Sequence, residues 1–166
     1  MTPEFTPAIS LLAELDLLSI GVAGRVAHVR LNRPAKRNAL NDALIAQLHT
    51  CFINLPGSVN AAVLSGAGEH FCAGLDLSEL TDRSISEGML HSRTWHATMD
   101  AIQFGRVPVV AVLHGAVVGG GLEVASSSTS GWQKRARFTA CRKASAASSS
   151  AAAARRACRG CAALRR

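Results

Sequence analysis

Three consecutive glycines, Gly119, Gly120 and Gly121, separate an apolar run from a helix-forming one, and this junction constrains the fold more than any other stretch. The run Val109-Val-Ala-Val-Leu113 is short, uncharged and rich in β-branched residues, as a buried strand is. Leu122-Glu-Val-Ala125 can open a helix. Glycines at such a turn leave backbone N–H groups uncovered, because no Cβ holds a ligand away. A helix start also carries about half a positive charge. The stretch Gly115–Glu123 therefore suits an anion, or a carbonyl oxygen that becomes one. A tight strand-to-helix turn is the plainer reading of a lone glycine triplet. A second Gly-containing loop upstream and a Glu two residues downstream favour the site.

Charge divides the chain. Residues 1–128 hold 8 Lys+Arg and all 11 Asp+Glu, a balance of 8 − 11 = −3, whereas residues 129–166 hold 10 Lys+Arg and no acid, a balance of +10. A mildly acidic body is thus followed by a basic Ala/Ser/Arg-rich tail. No apolar run approaches the ~20 residues of a membrane span. The start Met1-Thr-Pro-Glu-Phe5 lacks the basic character of a secretory signal. Five cysteines form no disulfide framework, so a reducing, cytoplasmic location is expected. Cys158-Arg-Gly-Cys161 has the spacing of half a zinc site but no partner pair, and no metal is expected.

Along the body, residues 7–18 could form a short helix within an N-terminal leader, residues 1–19. Gly24–Leu31 alternates partially and reads as a strand, and Asn32–Asn38 reads as a loop around Pro34. A helix is expected over 42–54 with Asn41 as its cap and Leu44, Ile45, Leu48 and Phe52 on one face. Ala61–Leu64 reads as a buried strand, Ser65–Glu79 as a functional loop, and Ser84 to Phe104 as a helix. Strands separated by helices give an α/β class.

Four motifs in order, Leu31-Asn-Arg-Pro-Ala-Lys-Arg-Asn-Ala-Leu-Asn41, Phe71-Cys-Ala-Gly-Leu-Asp-Leu77, Pro108-Val-Val-Ala-Val112 and Gly115-Ala-Val-Val-Gly-Gly-Gly-Leu-Glu123, resemble the enoyl-CoA hydratase/isomerase (crotonase) family. The resemblance covers about residues 20–127, the front part of that family's domain. It implies a crotonase-like ββα spiral, usually assembled as trimers or hexamers, that binds acyl-CoA thioesters and needs no cofactor beyond the coenzyme A of its substrate. By resemblance, the backbone N–H groups of Leu75 and Gly120 form an oxyanion hole, with Ala73, Gly74, Gly119 and Gly121 shaping it. Glu123 matches the first of two carboxylates that hold a water and move protons. Lys36 or Arg37 would meet the phosphates of CoA, and Asp76 would fix the loop. Each has a plainer alternative: Lys36 and Arg37 as solvated charges, Glu123 as a charge favouring a helix start. Cys72 reads as a small buried residue, and no histidine is assigned a catalytic role.

From residue 128 to residue 166 the resemblance gives way to low complexity, a composition that reads as disordered or non-native. Pairing the third base of each codon with the first two of the next, permitted wobble choices from residue 129 onward read His-Val-Arg-Val-Ala-Glu-Thr-Ser-Ala-Phe-Tyr-Arg-Leu-Pro-Glu-Gly. That is family-like and contains the missing second acid. The tail is therefore expected to be a frameshift product, leaving a truncated, inactive member of the family. The alternative is a non-catalytic protein whose basic tail binds nucleic acid or acidic partners. Trp132 and Phe138 are its only stacking residues, so nucleic acid is not the favoured partner.

Overall fold

The computed structural model describes residues 6–7, 10–79, 84–133 and 138–140, with side chains placed over 12–78 and 84–129. Strands β1 (Thr6–Pro7), β2 (Leu18–Ala23), β3 (Val26–Leu31), β4 (Ala61–Gly66), β5 (Val109–Leu113) and β7 (Ser130–Gln133) form one sheet in the order β1-β2-β3-β4-β5-β7. The first two pairings are antiparallel and the remaining three parallel. β3 and β4 bury every second residue, the period of a strand with one face on a core. Register aligns Val29, Leu64 and Ala111 in one buried row across three strands.

Parallel neighbours require crossovers, and helices supply them. Helix α2 (Asp42–Ile53) links β3 to β4, and α3 (Ile85–Gln103) links β4 to β5. The Asn41 side chain accepts from the Leu44 N–H at 3.0 Å, so the expected cap forms. α2 buries Leu44, Ile45, Leu48, Cys51 and Phe52, the apolar stripe read from the sequence plus one cysteine. Each fully buried leucine of this kind contributes about 1.5–3 kcal/mol relative to exposure. The core cluster joins these side chains to Phe71, Ile102 and the inward residues of the sheet. Helix α3 starts from a capping box in which Ser84 and Glu87 bond reciprocally.

A second, narrower layer of pairing carries the loops. The bridge residues Leu40 and Leu75, then Cys72 and Val117, pair in parallel, and β6 (Ala116–Val118) pairs with β8 (Phe138–Ala140). Each turn of the chain thus adds a strand to the large sheet and a short extended piece to this second layer. Helix α4 (Gly120–Ser127) follows β6 directly.

One expectation is corrected. Among the described residues of 7–18, only Ser10–Ala13 (α1) is helical, because Leu18 already belongs to β2, which pairs with β3 along its full length. Within the segment read as disordered or non-native from 128, Ser130–Gln133 and Phe138–Ala140 are strands, paired in parallel with β5 and β6. Residues 134–137 and 141–166, with most of the frameshift reading and the cysteine pair at 158 and 161, lie outside the described residues.

Candidate active site

The loop after β3 is built by a buried amide. Asn38 is fully buried and has a φ of 55°, in the left-handed region that Asn tolerates. Its Oδ1 accepts from the Arg33 N–H at 3.0 Å, while its Nδ2 donates to the carbonyls of Ala67 at 2.9 Å and His70 at 2.7 Å. This side chain ties the Arg33–Asn38 loop to the glycine-rich loop that follows β4. A second tie is ionic. The Arg33 guanidinium donates to the Ala39 carbonyl at 2.6 Å and to Asp76 Oδ2 at 3.0 Å. The other Asp76 oxygen accepts from the Ser78 hydroxyl at 2.6 Å and its N–H at 3.2 Å. The Ser78 hydroxyl, together with Arg33, holds the Asp76 carboxyl below its ordinary range despite partial desolvation. Asp76 is therefore occupied in fixing the loop.

Lys36 and Arg37 are exposed beside this tie. The Lys36 ammonium donates to Ser78 Oγ at 3.4 Å, and the Arg37 carbonyl accepts from the Ala73 N–H at 3.0 Å. Both charges therefore border the loop that carries Ala73, Gly74 and Leu75.

Backbone alternation then orients the amides. Leu40 donates to the Gly74 carbonyl at 2.7 Å and accepts from the Asp76 N–H at 2.8 Å. Leu75, between these two residues, turns its own N–H to the opposite edge. That edge borders the third loop: a Cβ added to Gly74, whose φ is +94°, would stand 2.7 Å from the Val118 carbonyl oxygen and 3.7 Å from the Gly120 nitrogen. At Gly119, φ 51° and ψ −118° form a turn open to glycine, and its carbonyl accepts from both Leu122 and Glu123. Among the described residues, neither the Leu75 N–H nor the Gly120 N–H finds an acceptor. Both residues are half-buried, so the two donors stand accessible on adjacent glycine loops.

Gly121 has a packing reason to be glycine. A Cβ there would meet the Cys72 carbonyl, Cβ and Sγ at 2.6–2.9 Å, so the two loops approach only without one. Cys72 Sγ in turn accepts from the Gly74 N–H at 3.4 Å, and burial pushes its thiol up to about 12. Such a thiol is a packing group and not a nucleophile.

Glu123 sits one helical turn beyond Gly120, half-buried. Its Oε2 accepts from the Trp95 indole N–H at 3.0 Å. The same indole covers Gly120, where an added Cβ would lie 2.9 Å from Trp95 Cζ2 and Cη2 and 3.2 Å from Leu40 Cδ1. Trp95 packs beside His91, with ring centroids 6.0 Å apart and planes tilted by 41°. His91 Nδ1 lies 2.9 Å from Asp42 Oδ1 at the start of α2.

The folded chain thus gathers Ala73, Gly74, Leu75, Gly119, Gly120, Gly121 and Glu123 around one rim, with Lys36, Arg37 and Asp76 along its approach. Sequence reasoning missed Ser78 and Trp95, and placed Arg33 and Asn38 only as loop residues. Trp95 stands 28 positions before Glu123 on another helix, where no spacing rule connects them. Among the described residues, no group of three His, Cys, Asp or Glu side chains could hold a metal, and no helix is long and apolar enough to cross a membrane.

Comparison with known proteins gives this arrangement a lineage. Residues 21–130 match the family described as Enoyl-CoA hydratase/isomerase. A peroxisomal Delta(3,5)-Delta(2,4)-dienoyl-CoA isomerase of Arabidopsis thaliana is 32% identical over 124 residues, 66% of this chain and 45% of its own. A short-chain-enoyl-CoA hydratase of Clostridium acetobutylicum is 33% identical over 117 residues, 69% of this chain and 45% of its own. Among solved structures, a Rhodopseudomonas palustris protein of provisional enoyl-CoA hydratase assignment is 47% identical with a TM-score of 0.74, covering 77% of this chain and 50% of that one. The chain spans about half the length of these relatives. Four sequence motifs, the paired glycine loops and these likenesses agree: the chain belongs to the enoyl-CoA hydratase/isomerase family.

Proposed function

We propose that this chain binds acyl-CoA thioesters, with the thioester oxygen between the Leu75 and Gly120 amides. The observation that carries the reading is this pair of main-chain donors on adjacent loops, both without an acceptor among the described residues. Hydration and double-bond migration both pass through an enolate-like oxygen, and preorganised donors act most strongly where such charge develops. Loss of one oxyanion-hole donor typically costs ~10²–10³ in rate. Gly120 opens α4, whose N-terminal partial charge adds to the same field. Lys36 and Arg37 offer exposed positive charge for the nucleotide phosphates, and the group needs no further cofactor.

In the complete reaction Glu123 would share a water with a second carboxylate and deliver it across a 2-enoyl-CoA. No Asp or Glu follows Glu123 in the 166 residues. We therefore expect thioester binding without appreciable hydration, and we read residues 128–166 as an out-of-frame segment. Sequencing the gene locus checks that reading: absence of a family-like frame beneath codons 129–153 ends it. A cytoplasmic location belongs to the same proposal. The exposed apolar side chains Leu77, Ile85, Met89 and Leu90 are read as surface prone to wrong association or aggregation, and the family's trimer or hexamer is not expected of this chain.

The decisive experiment measures crotonyl-CoA binding by calorimetry and hydration by loss of the enoyl absorbance, with Glu123→Gln as control. Binding without turnover is the expected result. Turnover that Glu123→Gln abolishes would overturn the inactivity. Absence of binding by a folded chain would overturn the thioester site itself.

A further inference from the structure

We propose that Trp95 is a positioning residue, which fixes the Glu123 carboxylate at the edge of the thioester site and roofs the Gly120 amide. The substrate part of this inference rests on the acyl-CoA reading; the pairing of the two side chains does not.

A glutamate on a half-buried helix face has three rotatable bonds, and its carboxyl group sweeps several ångströms unless something selects a rotamer. The 3.0 Å bond from Trp95 Nε1 to Oε2 makes that selection. The indole N–H can only donate, so it accepts no proton from the carboxyl group and competes with no water for one. As a neutral donor it leaves the carboxylate its charge, which an Arg or Lys at the same position would cancel. Among the described residues Oε1 has no hydrogen-bond partner, so one carboxylate oxygen is anchored and the other is left for chemistry.

The anchor is itself held. His91 packs against the indole and pairs with Asp42, so a chain of contacts runs from the first turn of α2 through α3 to α4. The indole also abuts Gly120, where even a methyl group would collide with the ring at 2.9 Å. One rigid side chain therefore touches the residue that supplies an oxyanion donor and bonds the residue that supplies the carboxylate. Both distances are fixed by a single ring, which is the economy a positioned acid–base group requires. A thioester held by the Gly120 amide would therefore lie beside that ring.

The test follows the indole N–H resonances of the ¹⁵N-labelled full-length chain, in which Trp95 and Trp132 are the two tryptophans. Trp132→Phe assigns the Trp95 signal, and comparison with Trp95→Phe does so if that variant fails to fold. The expected result has two parts. An acid-range shift of the Trp95 signal is lost in Glu123→Gln, while any component from His91, the other titratable group against the ring, persists there and disappears in His91→Gln. Crotonyl-CoA moves the Trp95 signal, and free CoA, which lacks the acyl group, does not. An acid-range shift unchanged in Glu123→Gln would overturn the pairing. Crotonyl-CoA binding that moves other resonances but leaves Trp95 unmoved would overturn its place at the site. A folded chain that binds no thioester, yet keeps the Glu123-dependent shift, would sink the acyl-CoA reading and leave the pairing standing.

Discussion

At the residue scale, Gly74 and Asp76 show how little freedom the oxyanion loop has. Gly74 combines a φ of +94° with a carbonyl oxygen 2.7 Å from where a Cβ would sit. Gly74→Ala is expected to cost ~1–3 kcal/mol in backbone strain alone and to weaken thioester binding by moving the Leu75 amide. Urea unfolding and crotonyl-CoA calorimetry measure the two effects. Asp76 is only 6% exposed, and its carboxyl is held low by Ser78 and Arg33. A carboxylate whose folded value is depressed stabilises the native state above its unfolded value, and that stabilisation is lost as pH falls through the folded one. Asp76→Asn should therefore lower Tm at pH 7, and the gap to wild type should close below about pH 4. A gap that stays constant down to pH 2 would show that the charge of Asp76 contributes nothing.

At the element scale, α3 is the helix whose two halves do different jobs. Its buried residues, Thr98 and Ile102, lie in the C-terminal half, while Ile85, Met89 and Leu90 in the first turns are exposed. With little packing to hold those turns, the capping box of Ser84 and Glu87 carries their stability. Ser84→Ala should cost about 1 kcal/mol in urea unfolding. Trp95 lies about three turns further along, so its bond to Glu123 should survive that substitution. The two long helices were legible in the sequence because their signals are local: Asn41 and a 3.6-residue apolar stripe for α2, and a Pro-free run bounded by Ser84 and Phe104 for α3. β2 was not legible, since Leu18–Ala23 carries Ser19 and Gly21 and becomes a strand through its antiparallel pairing with β3. β7 was obscured in the same way: its place is set by parallel pairing with β5.

At the scale of the whole molecule, the glycine loops, the alternation of β3, α2, β4, α3 and β5, and the family could all be read along the chain. They rest on spacing between near neighbours, and φ restrictions and apolar periodicity act within a few residues. The partners that complete the site could not be read there. Arg33 meets Asp76 across 43 positions, Asn38 meets His70 across 32, and Trp95 meets Glu123 across 28. Those separations are closed by parallel crossovers and by the register of β3, β4 and β5, which bring the loop-bearing ends of three successive turns side by side. The sequence alone determined which loops can offer bare amides, because a missing Cβ is a property of one residue. Only the tertiary structure decided which side chains hold those loops and which ring holds the carboxylate, because a hydrogen bond needs two groups within about 3 Å of each other and only the folded sheet sets that distance.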